Sequence, residues 1–107
     1  MDNEEIVKID DVEYHFKLKS QSIVELEKVL GKNIFEIFAD MSFTSMRKIL
    51  STCLISPEGI DADTLMDILL KKYTLLEMAN DLIRQIAVKS GLVKQENVEL
   101  SEEERKN

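Results

Sequence analysis

The sequence predicts a helix-dominated α+β domain: an N-terminal β-hairpin packed on a compact bundle of about five helices. Three observations predict it. Residues 7–18 alternate apolar and polar with a period of two. Capping boxes then recur at Ser22–Glu25, Asn33–Glu36 and Thr74–Glu77. Apolar residues at helical spacing follow them, and Gly31 and Gly91 stand where two of the helices should stop.

The hairpin comes first. Val7 and Ile9 alternate with Lys8 and Asp10, and Val12, Tyr14, Phe16 and Leu18 alternate with Glu13, His15 and Lys17. One face is therefore apolar and the other wet, with Asp10-Asp11 as the turn. A lone hairpin is marginal in water, so its apolar side must lie on the helices that follow.

Ser22 with Glu25 opens a helix running to Leu30, which Gly31 closes. Asn33 with Glu36 opens a short helix to Asp40; Ile34, Ile37, Phe38 and Met41 follow the i, i+3, i+4, i+7 pattern, and Phe35 falls on the rim of that stripe. A third helix starts near Thr44, with Met46, Ile49, Leu50 and Cys53 on one face, and Ser56-Pro57-Glu58-Gly59 breaks it. Asp61 caps a fourth, whose stripe of Ala62, Leu65, Met66, Leu69 and Tyr73 is widened by Ile68 and Leu70. Thr74 and Glu77 open the longest helix, to Ser90, with Leu75, Met78, Ala79, Leu82, Ile83, Ile86 and Ala87 inward. Residues 1–91 thus read as one domain. Residues 92–107 read as an acidic tail without fixed structure, because Val98 and Leu100 offer too little apolar surface against an ordering cost of ~1–2 kcal/mol per residue.

Composition narrows the function. The formal charge of -7, from 21 acidic and 14 basic residues, opposes a nucleic-acid binder, which needs clustered Lys and Arg to displace counterions from phosphates. It suits a small protein kept soluble by charge; a nucleic-acid mimic would need its carboxylates ranked on one face. No apolar run approaches the ~20 residues of a membrane span. The acidic start Met1-Asp2-Asn3-Glu4-Glu5 is unlike a secretory signal, and Cys53 is the single cysteine, so a reducing cytoplasm is the expected compartment.

Catalytic constellations fail on residue supply. His15 is the only histidine, on the polar face of a strand, whereas tetrahedral zinc takes four N, S or O donors. Cys53 lies on an apolar stripe, an inert setting for a thiol. Asp61-x-Asp63 begins like a calcium loop, but Leu65, Met66 and Lys72 occupy the positions that need an oxygen ligand, a glycine and a glutamate. Three glycines, at 31, 59 and 91, make no phosphate-cradling loop. The expectation is a protein without enzymatic activity, metal or cofactor.

Surface for partners remains. Phe35, Phe38, Met41, Phe43, Met46 and Leu70 exceed what single core stripes require. Two readings stay open: they complete the core beneath the hairpin, or they line a groove for an amphipathic partner helix.

The alternating strand, the Glu25-Leu26-Glu27 helix running into Leu30-Gly31-Lys32, the apolar helix directly after it, the Met46–Leu54 helix, the Glu58-Gly59 break and the Asp61–Thr64 helix start together resemble the tail assembly chaperones of long-tailed bacteriophages and prophages. The resemblance spans residues 7–90. It implies a non-catalytic protein of the bacterial host cytoplasm, absent from the mature virion, that coats the amphipathic helices of the tape-measure protein until tail-tube subunits polymerise around it. It also implies a frameshifted longer product whose added domain recruits the major tail tube protein, with this chain as the unextended form; contact of this chain with that protein and weak self-association are further expectations. Two other classes stay open: a structural minor tail or connector protein, and a small acidic regulator aimed at the host.

Overall fold

The computed structural model describes residues 3–94. The chain forms β1 (Glu5–Ile9), β2 (Val12–Phe16), α1 (Ser20–Leu30), α2 (Ile34–Asp40), α3 (Phe43–Cys53), β3 (Leu54–Ser56) and α4 (Ala62–Leu69). A continuous helical segment, α5, then covers residues 75–89; it is α-helical over Leu75–Glu77, π-helical over Met78–Ile83 and α-helical again over Arg84–Lys89. The architecture is the helix-dominated α+β domain expected, with the N-terminal hairpin supplying two of the sheet's three strands.

The hairpin closes through a two-residue turn with Ile9 opposite Val12. Asp10 and Asp11 both take positive φ, 52° and 66°, so the turn is type I′, whose twist matches that of the strands. Val7, Ile9, Tyr14 and Phe16 face the helices and are buried; Val12, beside the turn, is not. A third strand joins the sheet where none was expected: β3 pairs antiparallel with the end of β2, giving the order β1-β2-β3. Three residues between a helix and Pro57 carry no period of their own. Long-range pairing with His15 and Phe16 makes them a strand.

The first helix starts earlier than its capping pattern predicts. Lys19 is its N-cap, and the Ser22 hydroxyl reaches back to accept the Lys19 amide at 3.2 Å. Ser22 therefore plays the part usually taken by a glutamate three residues into a capping box, and it is buried there, while Glu25 stays exposed. The other two boxes form as read. Asn33 and Glu36 exchange hydrogen bonds of 2.9 and 3.1 Å, and Thr74 and Glu77 exchange bonds of 3.0 and 3.1 Å. Ser42 and Asp61 cap α3 and α4 through the amides of Ser45 and Thr64. Gly31 ends α1 in the left-handed region at φ 70°, where only the backbone angle demands glycine.

α3 is the central helix. Ile49, Leu50 and Cys53 are fully buried on it, and α1, α2, α4 and the π-helical stretch pack around it. The final α-helical turns of α5 lie against β1. The π stretch answers a problem of spacing. Met78 and Ile83 are five residues apart, which on an α-helix separates their directions by ~140°. Bonding from i to i+5 brings Met78, Leu82 and Ile83 inward together, and all three are buried. Leu75, expected inward, precedes the π stretch and is exposed.

Leu92 packs on the core and its amide reaches the Ala87 carbonyl at 3.0 Å. Of the expected tail 92–107, residues 95–107 lie outside those described. No helix among the described residues is long and apolar enough to cross a membrane.

Candidate functional site

An open-sided groove of about 340 Å³ lies between α2 and α5. Phe38, Ala39 and Met41 form one wall. Ala79, Asn80, Ile83, Arg84 and Ala87 form the other, and Val93 closes the lining. Local sequence explains the depression. Three alanines, 39, 79 and 87, stop at Cβ between the longer side chains of Phe38, Met41 and Ile83. Asn80 and Arg84 give one wall a polar rim.

Two backbone irregularities shape this site. Ala79, Asn80 and Ile83 belong to the π-helical stretch, a form that occurs mostly as single turns inside α-helices and frequently at functional sites. Met41 sits at the C-cap of α2 with φ 42°, a left-handed conformation that costs a non-glycine residue about 1–2 kcal/mol. The cost is met where Met41 both touches the core and lines the groove.

The apolar walls continue beyond the lining. Phe35 is 65% exposed and lies one helical turn before Phe38 and Ala39 on α2. Leu76 is 71% exposed and lies one turn before Ala79 and Asn80 on α5. Each wall thus ends in a large side chain held in water.

The structure separates the six residues singled out in the sequence. Phe38 and Met41 line the groove, and Phe35 extends its wall. Phe43 and Leu70 are about half exposed but do not line it. Met46 is a correction: at 4% exposure it belongs to the core and offers nothing to a partner. It shares a helical face with Ile49, Leu50 and Cys53, and packing against α3's neighbours seals that face. The α5 wall went unread as a site, since its Ala79, Ile83 and Ala87 read only as core residues, and Leu76, ahead of the π turn, was passed over. One signal did point there: of the eight apolar residues over positions 75–87, Leu76 alone falls off the i, i+3, i+4, i+7 stripe.

Reactive groups lie elsewhere. His15 is half-buried on the sheet, with Nδ1 2.7 Å from Glu4 Oε1 and Nε2 3.2 Å from Glu13 Oε1. Its pKa is raised, first by the hydrogen bond with Glu4. Burial pushes the Cys53 thiol up to about 12. The Asp61 carboxyl is held low by the Thr64 amide it accepts, which is the work of a helix cap. Among the described residues, no group of three or more His, Cys, Asp or Glu is placed to hold a metal ion.

No protein-family model, curated protein or solved structure matches this chain.

Proposed function

We propose that this protein is a non-catalytic chaperone of phage tail assembly, which shields amphipathic helices of the tape-measure protein in the host cytoplasm and is left out of the finished particle. The observation that carries the reading is the α2–α5 groove, lined by Phe38, Met41 and Ile83 and flanked by exposed Phe35 and Leu76. A client helix would set apolar residues at i, i+3 or i+4 and i+7 along it, with the alanine-floored depression taking one anchor side chain. One such contact is small and reversible. Many copies along a long client hold it by avidity, and release stays easy when tube subunits arrive. The charge of -7 on each copy keeps loaded complexes apart. The likeness of residues 7–90 to tail assembly chaperones supports the choice of client, and contact with the tail tube protein belongs to the same proposal.

The test is co-expression with a tape-measure protein. Wild type should raise the client's soluble fraction and co-purify with it, and a Phe35→Ser/Leu76→Ser double variant should do neither while remaining folded. Client solubility indifferent to the wild-type protein overturns the reading. Stoichiometric copies in purified particles would assign it to the virion instead.

A further inference from the structure

We propose that β1 is a self-association surface, pairing antiparallel with β1 of a second copy about a two-fold axis at Ile6. Among the described residues the sheet order leaves β1 and β3 as edges. β3 has three residues and runs into Pro57, which has no N–H to offer, so it makes a poor template. β1 has five.

The turn decides which groups of β1 face outward. Two residues in a type I′ turn make Ile9 and Val12 a hydrogen-bonded pair, and the alternation makes Val7–Tyr14 and Glu5–Phe16 hydrogen-bonded pairs as well. The amides and carbonyls of Glu4, Ile6 and Lys8 therefore point away from β2. Two contacts agree with this. Lys89 Nζ donates to the Glu4 carbonyl at 3.3 Å, and Lys72 Nζ donates to the Lys8 carbonyl at 3.4 Å. Lysines that cover an edge are a known guard against unwanted pairing. This guard is thin: both bonds are long, both lysines are exposed, and Ile6 between them is 48% exposed.

The strand is complementary to itself. With Ile6 opposite Ile6 of the second copy, Glu4 stands opposite Lys8 and Lys8 opposite Glu4. Of the antiparallel registers that join the outward groups, this one alone sets Glu4 against Lys8; others set Glu4 against Glu4, Lys8 against Lys8, or one of these charges against Ile6. The contact is isologous, as a two-fold dimer requires, and joins two three-stranded sheets into one of six. Lys72 and Lys89 give up their carbonyls on pairing, and Lys89 keeps its 2.8 Å ion pair with Glu5. A single strand pair buries little area, so the association is reversible and rises with concentration. None of this depends on the groove or its client.

Cysteine cross-linking of the full chain tests the register, since buried Cys53 does not compete. Opposed residues of a hydrogen-bonded pair lie about 5.5 Å apart at Cα, within disulfide range. Two copies of Lys8 would be about 13 Å apart, outside it. Under mild oxidation Ile6→Cys should cross-link at least about tenfold faster than Lys8→Cys. Sedimentation should show a dimer fraction that grows with wild-type concentration, is raised at least about fivefold by Lys72→Gln/Lys89→Gln, and is lost in Ile6→Pro, whose missing N–H faces outward. Equal cross-linking rates, or a wild-type monomer at every concentration, overturn the proposal; should Ile6→Pro fail to fold, the cysteine pair decides alone.

Discussion

The Glu27 carboxylate, on the last turn of α1, accepts the amide of Ile34 at 2.7 Å. One acid side chain thereby caps the next helix from outside it. α2 carries its own box at Asn33, so its amino end is held twice, and the α1–α2 corner is set by hydrogen bonds as well as by Gly31. This corner orients the α2 wall of the groove. Glu27→Ala should lower unfolding stability by about 1–2 kcal/mol in urea titrations, and Glu27→Gln should recover most of the loss by accepting the same amide.

Asp11 sits at φ 66° in the second central position of the type I′ turn, where glycine is the preferred residue. Asp11→Gly removes that backbone cost. Thermal unfolding should show a gain of about 0.5–1 kcal/mol, a rise in Tm of roughly 2–6 °C.

His15 links pH to stability. Its hydrogen bonds to Glu4 and Glu13 raise the folded-state pKa above 6.5, so the folded state holds the proton more tightly than the unfolded chain does. The contribution is complete below 6.5 and disappears as pH rises through the folded-state value. The Tm difference between wild type and His15→Gln should therefore be largest below pH 6.5 and shrink as pH rises through the folded-state value. A difference that grows with pH would contradict this. An NMR titration of the ring protons should place the midpoint above 6.5.

Cys53 is buried against the core of α3, with its pKa pushed to about 12 by desolvation. In native protein it should resist aromatic disulfide reagents at about pH 8, and react fully once urea unfolds the chain. Fast native-state labelling would mean that the α3–β3 junction opens readily.

Ala39 is exposed and lines the groove, so a change there alters the cleft with little effect on folding. Ala39→Arg lays a charged chain across the apolar floor. Retention of a helical client should fall at least about tenfold, with unfolding stability within about 0.5 kcal/mol of wild type.

What could be read from the sequence divides along local and non-local lines. The hairpin, its Asp10-Asp11 turn and the caps at Asn33, Asp61 and Thr74 follow from neighbours in the chain, and each forms as its residues require. β3 and the early start of α1 do not: one needs β2 as its partner, and the other depends on Ser22 serving as the acceptor inside the helix instead of as its cap. The groove was half legible. Phe35, Phe38 and Met41 stand out as surplus on α2, whereas Ala79 and Asn80 acquire their positions from the π turn. Met46 could have been set aside from the sequence, since Ile49, Leu50 and Cys53 already claim its face.

The segment from Met78 to Ile83 holds one residue more than ordinary helical winding would use. Single-residue deletions inside a helix normally rotate everything beyond them out of register. Here the loss of one residue, Asn80 for instance, would instead restore ordinary winding, with Met78 and Ile83 four residues apart in place of five. The α5 wall of the cleft is therefore open to adjustment by one codon.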